Sequence, residues 1–77
     1  MPRVPASPGT LARLREVVAD ARSFAVYREL AVRVRDRARR QRDPATRDVE
    51  LDTARHWAGL ARETHARLLT HVEGDPP

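Results

Sequence analysis

The sequence predicts an all-α protein, an antiparallel helical hairpin that dimerises into a four-helix bundle. Three observations carry the hairpin. No glycine or proline occurs between Gly9 and Pro44, and the interval is rich in Ala, Leu, Arg and Glu, which are strong helix formers. Asp43-Pro44 supplies a corner at which one helix must stop and the next can start. On both sides of that corner the apolar residues recur at steps of three and four, as on one face of a helix.

The opening nine residues, MPRVPASPG, hold three prolines and a glycine and read as a flexible leader. The first helix is expected over about 10–42. Thr10 can cap its start, as can Ser7, which precedes a proline suited to the first helical position. Leu11, Leu14, Val18 and Ala21 form one spaced set, and Phe24, Tyr27, Ala31, Val34 and Ala38 another. Joining the sets requires three successive steps of three, a stammer that overwinds a helix locally. The alternative is a second helix capped by Ser23, and a continuous helix with a kink is the preferred reading.

Proline disfavours helical geometry in the residue before it, so Asp43 becomes the cap of a second helix over 44–73. So tight a connection makes the helices antiparallel neighbours. Leu51, Ala54, Ala58, Ala61, His65, Leu68 and Val72 alternate steps of three and four, the most regular pattern in the chain. Folding about the corner sets Ala38 near Leu51, Val34 near Ala54, Ala31 near Ala58, Tyr27 near Ala61 and Phe24 near His65. Gly74 sits where a left-handed cap is common, and residues 74–77 are expected to form a flexible tail.

Residues 27–61 read YRELAVRVRDRARRQRDPATRDVELDTARHWAGLA. Tyr27, Arg28, Ala31, Arg35, Ala38, Asp43, Pro44, Arg47, Leu51, Ala54, Trp57, Leu60 and Ala61 spell a YRxxA, DPxxR and LxxAxxWxxLA pattern. It resembles a family of short bacterial helical-hairpin proteins. The resemblance covers nearly half of the chain and implies a helical hairpin without any established activity. The WAG at 57–59 is also similar to the Trp-x-Gly of small secreted hairpin proteins. There the motif marks the turn, whereas here Trp57 lies inside a helix, so that likeness is rejected.

Composition restricts the function classes. At 77 residues the chain is one small domain at most, in the range where a lone core is marginal. Without cysteine it has no disulfide, cysteine zinc cluster or thiol nucleophile. All 15 basic residues are arginine and the net charge is +4, compatible with an anionic partner. The arginine bias looks like GC-rich coding and is discounted as a functional signal. No signal peptide or membrane span is recognised, so a soluble, cytoplasmic protein is expected, without a membrane partner.

The arginine run RVRDRARRQRDP at 33–44 straddles the expected seam: Arg35, Arg39 and Arg42 fall on one flank, and Arg33, Arg37 and Arg40 on the other. Residues 33–42 sum to +5 and residues 43–52 to −3, so Asp43, Asp48, Glu50 and Asp52 are positioned to answer the arginines across the turn. Ion pairing is therefore the preferred reading, and phosphate contact through Arg35, Arg39 and Arg42 the alternative. One Phe, one Tyr and one Trp give no base-stacking platform.

His56, His65 and His71 are not three or four residues apart, so no metal site is expected. Glu16/Asp20 and Asp48/Asp52 are carboxylate pairs at i, i+4, but two helices enclose no substrate cavity. The chain is read as no enzyme, with no cofactor or small-molecule substrate. Two features remain. Trp57, bordered by Leu60, either closes the small-residue groove against Leu30 or Ala31 or anchors an interface. Leu11, Leu14, Val18, Ala25 and Val32 form a second apolar stripe that a lone hairpin would leave in water. Self-association through that stripe, giving a homodimer, or binding of another protein is the expected function.

Overall fold

The computed structural model describes residues 8–73, and within them the chain is two antiparallel α-helices, α1 (Pro8–Arg40) and α2 (Pro44–Glu73). The hairpin and its corner are as expected. The helix begins earlier than the sequence pattern suggested, so that Pro8 and Gly9 belong to α1 and not to a leader. The remainder of the leader, the Ser7 cap, the Gly74 cap and the tail lie outside the described residues.

α1 ends at Arg40, two residues short of the expected boundary. Gln41, Arg42 and Asp43 form the corner, and the Gln41 amide closes it by donating to the Ala38 carbonyl at 3.1 Å. The geometry that proline imposes on its predecessor is accommodated here before α2 starts. Asp43 then caps α2. Its Oδ2 accepts from the Thr46 amide at 3.0 Å and from the Thr46 hydroxyl at 2.7 Å, satisfying one of the backbone donors that a helix start leaves free. The Thr46 hydroxyl bond first, then its amide bond and the nearby Arg47 charge, hold the Asp43 carboxyl below its ordinary pKa of 3.8.

Between Pro8 and Arg40 the helix is unbroken, so neither a stammer nor a second helix at Ser23 is present. The reason is the position of the seam. Among the buried and half-buried residues of α1, Val17, Asp20, Phe24, Tyr27, Ala31, Val34 and Ala38 form an uninterrupted alternation of three and four that Gln41 extends into the corner, with half-buried Ser23, Leu30 and Asp36 beside it. Asp20 occupies the place that Ala21 was expected to take, and Ala21 is exposed. Leu11, Leu14 and Val18 consequently belong to another side of the helix.

The inner line of α2 is shifted in the same way. Ala54, Trp57, Ala61, Thr64, Leu68 and His71 face α1. Thr64, at 1% exposure, is more enclosed than Ala54 or Ala61, while His65 is exposed and Val72 is 81% exposed. A buried hydroxyl is tolerable because Thr64 Oγ1 donates to the Leu60 carbonyl at 2.9 Å and accepts from Arg67 Nη2 at 3.2 Å.

The contacts between the helices run from end to end. Near the corner, Glu50 Oε1 takes Gln41 Nε2 at 3.3 Å and Arg37 Nε at 3.4 Å. In the middle, small Ala31 leaves room for Trp57, whose ring stacks on Tyr27 with centroids 5.8 Å apart. Phe24 meets His65 at 5.6 Å, the pairing expected from the sequence. At the far end Asp20 is shared by Arg67 at 3.5 Å and His71 at 3.3 Å. Only Val34, Ala38, Ala54, Ala61 and Thr64 are buried among the described residues, because two helices side by side make a single layer. In its thinnest direction the molecule measures 15 Å, little more than one helix with its side chains.

Candidate interaction surface

The stripe singled out from the sequence lies in the open. Leu11, Leu14, Val18 and Val32 are 46%, 54%, 48% and 40% exposed, and Ala25 is exposed with them. At 100° per residue these five residues lie about 120–135° around the helix from the mean direction of the seam, between a flank and the opposite side on which the sequence reading places them. Interleaved with Ala25 and Val32 it continues toward the corner through Arg28, Arg35 and Arg39, each step three or four residues, and Arg42 follows in the corner itself. One column of α1 is thus apolar in its first half and cationic in its second.

α2 contributes to the same broad side. A shallow groove lined by Phe24, Arg28, Ala61, Arg62 and His65 opens between the helices, and a second, lined by Phe24, Ala25, Arg28, Glu29 and Val32, adjoins it along α1. Residues seven apart on a helix share a column, so Leu51, Ala58 and Val72 lie with His65, while Asp48 and Leu69 lie with Arg62. Leu69 is 46% exposed. The sequence reading missed Leu69, and took Val72 for a seam residue; steps of seven from His65 and Arg62 would have found both.

Trp57 and Leu60 do not join this surface. Trp57 is half-buried, stacked on Tyr27 and touched edge-on by His56 at 5.5 Å. Leu60 is half-buried beside it. Both belong to the seam and the opposite side, so Trp57 serves the packing between the helices.

The arginine run is paired less than its neighbouring acids suggested. Arg37 reaches Glu50 across the hairpin, and Arg33 binds Glu29 within α1. Among the described residues Arg35, Arg39 and Arg42 make no ion pair, nor does Asp48. Asp43 is engaged by Thr46, and Asp52 by Arg55 at 2.9 Å. The expectation that arginine–carboxylate pairs hold the outer faces is corrected accordingly: local geometry has already committed two of the four acids. Exposed pairs of this kind contribute little in any case.

No cluster of three or more His, Asp or Glu side chains suited to a metal ion occurs among the described residues. Glu16 and Asp20 do not act as a pair, since Asp20 turns into the seam toward Arg67 and His71. No helix among the described residues is long and apolar enough to cross a membrane. Comparison of the chain with protein-family models, with characterised proteins and with solved structures finds no match.

Proposed function

We propose that this chain is a non-enzymatic protein–protein interaction module, a small adaptor, accessory subunit or regulator that self-associates by helix packing. One observation carries the reading. A single-layer hairpin with five buried residues among those described leaves Leu11, Leu14, Val18, Ala25 and Val32 exposed together away from the seam. A second layer is what turns such a hairpin into a two-layer domain with a core. Contiguous exposed apolar surface of this sort marks interaction sites.

Sedimentation velocity tests the reading. The native chain is expected to sediment as a dimer, and Leu14→Glu/Val18→Glu as a monomer of retained helicity. An unchanged dimer in the double variant removes the stripe from the interface, and a native monomer of full helix content at micromolar concentration removes the proposal.

A second reading rests on Arg35, Arg39 and Arg42, which share a flank and hold no carboxylate. In that reading the chain is a small basic nucleic-acid-binding protein, contacting phosphates through those guanidinium groups. Titration of duplex DNA at two salt concentrations discriminates: binding that weakens steeply with salt favours it, and no binding at about 0.15 M salt dismisses it.

A further inference from the structure

The broad side of the hairpin carries enough chemistry to specify how a second copy would sit on it. This inference rests on the self-association proposed above. We propose that two copies pack face to face about a two-fold axis parallel to the helices, so that α1 of each lies antiparallel on α2 of the other and both corners point the same way.

The argument begins with height along the hairpin. The contacts Asp20–Arg67, Phe24–His65 and Gln41–Glu50 fix the axial register of the two helices. That register sets Val18 level with Leu69, Leu14 within a turn of Val72, Ala21 and Ala25 level with His65, and Arg39 level with Asp48. A rotation about an axis parallel to the helices preserves height while exchanging α1 for α2. Every residue of α1 on this side is therefore brought against the residue of α2 at its own level.

The levels are complementary. Leu14 and Val18, about half exposed, meet Leu69 and Val72, which are 46% and 81% exposed. The alanines at 21 and 25 leave space for the ring of His65, which is exposed in the single hairpin. Arg39, without an ion pair, meets Asp48 of the second copy, also without one. Being isologous, the arrangement makes each of these contacts twice. Two levels bring like charges together, Arg28 with Arg62 and Arg35 with Arg55; the long stems let the charged heads turn outward, and Arg55 keeps its own carboxylate, Asp52.

Area points the same way. Overlap along α2, 30 residues at about 1.5 Å each, with a hairpin 24 Å wide, gives a footprint of about 1,000 Å² per copy, above the ~800 Å² of a standard stable interface. Placing the axis across the helices instead would lay α1 on α1 along the apolar half only. About half the footprint would be lost, and Arg39 and Asp48 would both stay uncovered.

The chain has no cysteine, so single introduced cysteines report the packing directly. Val18→Cys and Leu69→Cys, mixed and mildly oxidised, are expected to give a disulfide-linked dimer that neither variant gives alone. Ala21→Cys alone is expected to stay unlinked. Asp48→Arg should weaken the dimer about tenfold at low salt, with recovery in Asp48→Arg/Arg39→Asp. A dimer by sedimentation that links through Ala21→Cys, or fails to link Val18→Cys to Leu69→Cys, overturns this packing and leaves self-association standing. Absence of any dimer overturns both.

Discussion

Ala38 has no exposed surface and stands in the seam in the last turn of α1 before the corner. Replacing it by leucine adds three carbons at a layer already occupied by Glu50 and Leu51, both half-buried. With no void to receive them, the helices must separate or the new side chain must leave its preferred rotamer, at a cost of about 1–3 kcal/mol. Stability of about 0.05–0.15 kcal/mol per residue over the 66 described positions is only some 3–10 kcal/mol, so the loss is a large fraction of the whole. It corresponds to a fall in Tm of roughly 4–8 °C per kcal/mol. Ala66→Leu is the matched control, because Ala66 is an exposed residue of α2 and leucine is nearly as good a helix former as alanine. Urea denaturation at fixed protein concentration, followed by circular dichroism and Trp57 emission, measures both; the concentration is held because association adds to apparent stability. Should Ala38→Leu unfold at the same urea concentration as Ala66→Leu, the full enclosure of this position between the helices is wrong.

Asp43→Ala should lower Tm at neutral pH by removing the cap. Because the folded pKa is depressed by Thr46, that contribution is complete above the unfolded value near 3.8 and disappears as pH falls through the folded one; melting curves of both proteins from pH 7 to pH 2 should therefore converge in acid, and a constant gap would refute the cap. Asp20→Ala removes the bonds to Arg67 and His71 at the far end and should cost roughly 1 kcal/mol, below the ~1.5–3 kcal/mol of hydrogen bonds to charged groups because both are long and Arg67 is more than half exposed; thermal melts read the loss, and no change would mean the contacts carry nothing. Trp57→Phe should keep the stack on Tyr27 and leave the oligomeric state unchanged, whereas a variant that turns monomeric in sedimentation would return Trp57 to the interface.

The sequence stated the corner outright, since Asp-Pro has few other meanings between two helix-forming stretches. The phase of the helices was harder to see. Counting apolar residues selects Ala58, His65 and Val72 on α2 and Ala21 on α1, but the inner lines run through Trp57, Thr64, His71 and Asp20. Thr64 satisfies its hydroxyl on the Leu60 carbonyl of its own helix, and Asp20 and His71 satisfy each other across the seam. Such polar residues pass into an interior with their partners, and apolar periodicity cannot register partners. The exposed stripe was legible because its leucines and valines match no seam position. The free arginines were not, because nearness in sequence to acids says nothing of whether Thr46 or Arg55 has taken those acids first.

A two-helix hairpin ordinarily behaves as a fork, secured where the chain turns and fraying at its tips. Asp20 changes that. By bridging to Arg67 and His71 some thirteen turns of backbone away along the chain, it fastens the end of α2 to α1 as the Asp43 corner fastens the base, and the alanine-lined stretch between becomes a span supported at both ends. Hydrogen exchange should then show amides around Val17–Phe24 nearly as slow as those beside the corner, and cutting the clasp should quicken the tips while the base keeps its pace.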